Sequence, residues 1–209
     1  LKSAEFPFRV RIGVTGHRAL PGEQRLRARI REVLAARTRE LLDPPSAREH
    51  RRSALAYTVV SSLAEGADCL VVEEVLKTAN SELEAVLPLA AEDYLRDFST
   101  RGAKARSRQL LDRARKTIVL NMADPNSGLD DFREKAYEEA GRYVVDHCDL
   151  LIAVWNGMPA RGRGGTAEIV SYARSIGRPL LIVPTEIAEE IRVEKGSGVS
   201  GHDLSQHVR

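Results

Sequence analysis

Six segments of this chain, residues 8–15, 54–62, 83–89, 116–121, 149–155 and 178–184, are rich in apolar residues, and all but the first carry them in runs instead of on every second residue. A strand with one wet face alternates, whereas a strand covered on both faces does not. Between these segments lie stretches at helical spacing. They are 22–42, with Leu26, Ile30, Leu34 and Leu41 on one stripe; 63–80; 92–115, with Tyr94, Leu95, Phe98, Leu110 and Leu111; 132–148; and 165–177, closed by Gly177. The alternation predicts an α/β chain, a three-layer sandwich with a mainly parallel central sheet covered by helices on both faces. In such sheets ligands bind beyond the carboxyl ends of the strands, where the chain order reverses.

With 209 residues the chain has enough material for one core and little for two. One domain over residues 1–184 is expected, with 185–209, which contains "GSGVSGHD", as a flexible tail or linker. "DPPSAREHRRS" (43–53) stops the first helix at Pro44 and Pro45 and predicts an exposed basic connection. A formal net charge of +2 supplies no large field for duplex nucleic acid, so any phosphate recognition has to be local. No run of about 18 apolar residues is present to span a bilayer, and the opening "LKSAEFPFRVRIGV" lacks a signal-peptide layout, so a cytoplasmic setting is expected. The chain opens on Leu1, not Met, as expected of a piece of something longer. Cys69 and Cys148 have no CxxC spacing and read as small buried hydrophobes; neither a metal nor a cofactor is expected.

Three loops leave strand ends and enter helices on what the parallel sheet makes a common edge. In "TGHRALPGE" the candidates are Thr15, Gly16, His17 and Arg18: glycine for close backbone approach, a titratable ring, and a planar guanidinium suited to phosphate. A plain turn with a surface arginine and a loop-structuring histidine is the alternative. In "SSLAEGAD" they are Ser61, Ser62, Glu65, Gly66 and Asp68. Asp68, in a first helical turn, suits the helix dipole and would repel a phosphate there; it either partners a ribose hydroxyl or simply stabilises the helix. In "WNGMPARGRGGTAE" they are Asn156, Gly157, Arg161, Arg163, Gly164, Gly165, Thr166 and Glu168, a glycine-rich anion cradle at a helix start carrying two arginines, which could also be merely exposed. Glu168 admits three roles: a dipole-matching carboxylate, a ribose clamp, or the stabiliser of an oxocarbenium-like centre in N-glycosidic cleavage.

"IGVTGHR" (12–18) and "SSLAEGADCLVVEEVL" (61–76) resemble the "VGSR" and "SGLARGID" signatures of the DprA/Smf proteins, and "GGTAEI" (164–169) is similar to the "GGxGTxxE" segment of the LOG phosphoribohydrolases. Over roughly residues 9–184 the chain thus resembles the SLOG superfamily. "GHR" with "AVWNGMPARGRGGTAE" is most similar to its nucleotide-sensing members in prokaryotic defence systems. That resemblance implies a Rossmann-like sheet. It also implies a sensor that binds a nucleotide-derived signal, such as a cyclic nucleotide or a cyclic ADP-ribose isomer, assembles as a homo-oligomer and controls a fused or associated effector. Arg18, Arg161 and Arg163 would then contact phosphate, with Glu168 and Asn156 on ribose.

The same superfamily implies two other activities. One is N-glycosidic: LOG-like release of ribose 5-phosphate, or transfer as in the nucleoside deoxyribosyltransferases, which "GTAEIVSYARSIGRP" resembles and where the corresponding Glu168 is the catalytic residue. Two departures weigh against it. Ala140 and Gly141 stand where LOG enzymes carry an Arg-Lys pair, with Arg142 only nearby, and Asn156 stands where the transferases have an Asp. The other is DprA-like single-stranded DNA binding, disfavoured by the balanced charge and by only four Phe, one Trp and five Tyr for stacking.

Overall fold

The computed structural model describes residues 8–37, 55–121, 129–159, 163–186 and 188–196. In chain order the elements are β1 (Phe8–Gly16), α1 (Glu23–Glu32) running into a π-helical turn (Val33–Arg37), β2 (Leu55–Ser61), α2 (Ala67–Val75) and β3 (Glu82–Leu87). There follow α3 (Ala91–Tyr94), a 3-10 turn (Leu95–Asp97), α4 (Arg101–Leu111), β4 (Lys116–Val119), α5 (Leu129–Asp146), β5 (Leu150–Val154), α6 (Thr166–Ser175), β6 (Leu180–Val183) and β7 (Arg192–Glu194).

The strands form one sheet in the order β4-β3-β2-β1-β5-β6-β7, parallel throughout except for β7. Helices cover both faces, giving the Rossmann-like three-layer sandwich that the apolar strands call for. Val10, Ile12 and Val14 of β1 and Leu150, Ile152 and Val154 of β5 pack beneath Leu26 and Ile30 of α1 and Leu70 and Val71 of α2. On the other face Leu151 and Ala153 meet Val144 and Val145 of α5 and Ile169 and Val170 of α6. Both sets are buried, which explains why β5 shows no polar alternation.

The chain travels outward from β1 through β2 and β3 to β4, then returns to lay β5 on the other side of β1. The carboxyl ends of β1 and β5 are therefore the switch point where a crevice opens.

Two expectations need correction. Residues 92–115 are not one helix: Phe98 is extended, and the Thr100 hydroxyl accepts the Ala103 N–H at 3.0 Å, capping a new start for α4. Part of the expected tail is ordered, since β7 pairs antiparallel with β6 through Leu180–Glu194, Leu181–Val193 and Ile182–Arg192. The basic connection at 43–53 lies outside the described residues. Among the described residues no helix is long and apolar enough to cross a membrane.

Candidate functional site

A cavity of about 700 Å³ opens at the switch point, within the range of ligand pockets. All three loops contribute to its wall.

The loop after β1 is held by main-chain contacts that leave no room for side chains. A Cβ on Gly16 would lie 2.5 Å from the Ala67 Cβ and 2.7 Å from the Val154 carbonyl oxygen. The His17 N–H donates to the Val154 carbonyl at 3.1 Å, and the His17 carbonyl accepts the Ala67 N–H at 3.0 Å. One residue thus joins the ends of β1 and β5 to the start of α2. Its ring continues the pattern: Nε2 lies 2.8 Å from Asn156 Oδ1 and 3.2 Å from the Asn156 N. Because Oδ1 also accepts the Met158 N–H at 3.1 Å, the shorter contact calls for a proton on Nε2. His17 and Asn156 therefore brace two loops against each other while lining the cavity.

Arg18 is exposed at the mouth. Its guanidinium lies 5.6 Å from the centre of the Tyr137 ring and donates to the Asp97 carbonyl at 3.3 Å. Asp97 in turn accepts from Arg133 and from the Tyr137 hydroxyl. Burial first, and then this hydrogen bond, pushes the Tyr137 phenol up to about 12.

In the second loop the serines divide. Ser62 lines the cavity, whereas Ser61 is fully buried and donates to Asp68 Oδ2 at 3.0 Å while accepting the Leu63 N–H at 3.0 Å. Asp68 lines the cavity from a buried position, and its Oδ2 also accepts the Ala64 N–H at 3.4 Å. Burial pushes its carboxyl up to about 6, against the opposing pull of the Ser61 hydroxyl, neighbouring N–H groups and the Arg18 charge. Glu65 turns outward and caps Ser99, accepting its N–H at 3.0 Å and its hydroxyl at 2.8 Å. Gly66 lies beneath the wall at φ 84° and serves packing alone.

The third loop is anchored to α5. Gly164, at φ 74°, sits where a Cβ would meet the Glu138 N at 2.7 Å. Arg163 lines the cavity, but its Nε donates to Glu138 Oε2 at 2.5 Å; Glu138 also pairs with Arg142 at 2.8 Å. Gly164, Gly165 and Thr166 line the cavity at the start of α6, where the Glu168 N–H is taken by the Gly165 carbonyl at 2.9 Å and helix geometry turns the N–H groups before it toward outside partners. Glu168 does not line it: Oε2 accepts the Gly164 N–H at 2.6 Å, tying the loop to the helix it precedes. Gly157, at φ 78°, also stays off the wall, and Arg161 lies outside the described residues.

The sequence reading missed the far wall. Tyr94 from α3, Tyr137, Ala140 and Gly141 from α5, Trp155 just after β5, and Thr185 and Glu186 after β6 belong to it. Its signal was faint: in "YEEAG" a tyrosine is followed three and four positions later by the two smallest residues, so one helical face carries a ring and then open space. At Gly141 even a methyl is excluded, since a Cβ would approach Ile169 Cδ1 to 2.4 Å. Arg142 instead stacks over Tyr172 at 4.7 Å, away from the cavity.

Comparison with models of known protein families finds no match, and comparison with curated proteins finds none, so the function is argued from this geometry.

Proposed function

We propose that the cavity binds a nucleotide-derived ligand and holds it intact, as the sensing part of a system whose effector reads the bound state. The phosphate lies against the start of α6, where Gly164, Gly165 and the Thr166 hydroxyl face the cavity and the helix dipole favours an anion. Arg18, exposed at the mouth, supplies the cation. The sequence's resemblance to nucleotide-sensing SLOG domains agrees with this choice of ligand.

One observation carries the reading of binding without cleavage. The carboxylate that N-glycosidic chemistry would require, Glu168, accepts a hydrogen bond from its own loop and stands off the cavity wall. Gly141 and Ala140, on the facing helix, offer no cationic partner for a reacting phosphate. Arg163 lines the cavity and also tethers its loop through Glu138.

Calorimetry against mononucleotides, cyclic nucleotides and ADP-ribose isomers tests the proposal. A ligand should bind that Arg18→Ala weakens about tenfold, the loss expected for one charge-assisted hydrogen bond. Chromatography after prolonged incubation should return the ligand whole. Release of free base overturns the non-catalytic reading, and failure of every nucleotide to bind overturns the site.

A further inference from the structure

The cavity wall carries two chemically opposite sets of groups. One, at the start of α6, offers main-chain N–H groups, a hydroxyl and the positive end of a helix dipole. The other is Asp68, Tyr94 and Tyr137, with Arg18. These four are close enough to act on one another electrically: Asp68 and Arg18 both bear on Tyr94, and Arg18 bears on Asp68 and Tyr137. A carboxylate and the electron-rich face of the half-buried Tyr137 ring repel phosphate, so this set suits a flat group that donates hydrogen bonds.

We infer that Asp68 reads an amino group on the ligand's nucleobase, with the base laid against Tyr137. The inference rests on the proposed nucleotide site and adds which class of base it takes. Three features set Asp68 apart from a carboxylate that only stabilises its helix. It is 5 % exposed, and what exposure it has faces the cavity. Its hydrogen bonds from Ser61 and Ala64 fix the carboxylate plane before any ligand arrives. Its neighbours on the wall are aromatic: Tyr137 is half-buried, and behind it the buried Tyr94 lies 5.9 Å away between ring centres at an angle of 50°, itself backed by Phe98 at 5.1 Å. A buried acceptor of this kind penalises any ligand that brings no donor, because desolvating the carboxylate is then uncompensated. A ribose hydroxyl could also donate to Asp68, but it would leave the Tyr137 ring without a flat partner.

The experiment is calorimetric titration of the intact protein with adenosine, guanosine and cytidine 5′-monophosphates, purine riboside 5′-monophosphate, which lacks the amino group, and ribose 5-phosphate, which lacks the base. At least one amino-bearing nucleotide should bind at least about tenfold more tightly than purine riboside 5′-monophosphate, as expected for one hydrogen bond to a charged group. In Asp68→Asn, followed by thermal melting to establish that it folds, this preference should shrink to about threefold or less, with ribose 5-phosphate unchanged. The wild-type comparison stands even if the variant does not fold. Equal binding of purine riboside 5′-monophosphate and all three amino-bearing nucleotides, or of ribose 5-phosphate and all of them, overturns the inference and leaves the phosphate site standing. No binding by any of the five overturns the inference, and the cyclic nucleotides and ADP-ribose isomers titrated for the proposed function then decide whether the phosphate site stands.

Discussion

Gly66 and Arg18 are in main-chain contact: a Cβ at position 66 would lie 2.1 Å from the Arg18 carbonyl oxygen and 2.5 Å from that of His17. The first two loops of the cavity are therefore one packed unit. Gly66→Ala, which must also adopt φ 84°, should destabilise the protein by about 3 kcal/mol or more, read as a shift in denaturant midpoint. An alanine tolerated with a change below about 1 kcal/mol would mean that the loops do not touch this way.

Glu168 supplies a second prediction, on the difference between holding a loop and doing chemistry. Its contribution is one hydrogen bond accepted from the Gly164 N–H, which a glutamine can also accept. Glu168→Gln should thus preserve nucleotide affinity and folding, whereas Glu168→Ala should cost about 1 kcal/mol of stability and loosen binding. Calorimetry and chemical denaturation on the two variants distinguish the cases; equal damage from both would point to a role for the charge itself.

Asp68 makes stability depend on pH in an unusual sense for a carboxylate. Its folded value of about 6 lies above the ordinary 3.8, so between the two the folded protein binds the proton more tightly than the unfolded chain. The cost of keeping Asp68 charged is fully present above pH of about 6 and is relieved as pH falls toward 3.8; the whole gap corresponds to about 3 kcal/mol. Between about pH 5 and pH 7.5 the wild type should lose roughly 1 kcal/mol more than Asp68→Asn, measured by urea unfolding at each pH. Parallel curves for the two proteins would contradict the buried, cavity-facing position.

Far from the cavity, Glu74 has a side chain with 0% exposure and accepts from Arg27 at 2.7 Å, Lys77 at 2.7 Å and Arg31 at 3.3 Å. Burial alone would raise its carboxyl, but the hydrogen bonds from Lys77 and Arg27 and the surrounding positive charge hold it below the ordinary value. Its stabilisation is present above the unfolded value near 4.5 and is lost as pH falls through the folded one. Glu74→Gln should cost about 3 kcal/mol at neutral pH, since it leaves the cations without their common partner. Nucleotide binding should be unaffected, which separates this cluster from the site.

The sheet was legible because burial on both faces writes itself into β5 and β6 as unbroken aliphatic runs. The glycines at 16, 66 and 164 stood out in the sequence as candidate ligand contacts, and each also marks a close approach between two parts of the chain that excludes a Cβ. Side-chain destinations were not. Whether Arg163 meets a ligand or Glu138, and whether Glu168 faces the cavity or Gly164, depends on the position of α5, and no local sequence pattern encodes that distance. Tyr94 looked like an ordinary helix contact for the same reason. Antiparallel β7 was hidden among polar residues because an edge strand of three residues has little to bury.

That last strand alters how the molecule can move. Thr185 and Glu186 sit on the cavity wall, and the chain then runs through β7 to Gly196, which lies against Gly177 and Pro179 at the opposite rim of the sheet. Arg29 of α1 grips this span by the carbonyls of Pro184, Glu186 and Glu189, and Arg174 clasps Glu194 with two hydrogen bonds. The span is a strut fastened at both ends. The cavity wall at Thr185 and the rim of the sheet at Gly177 and Pro179 are thus joined by one short piece of backbone held along its length.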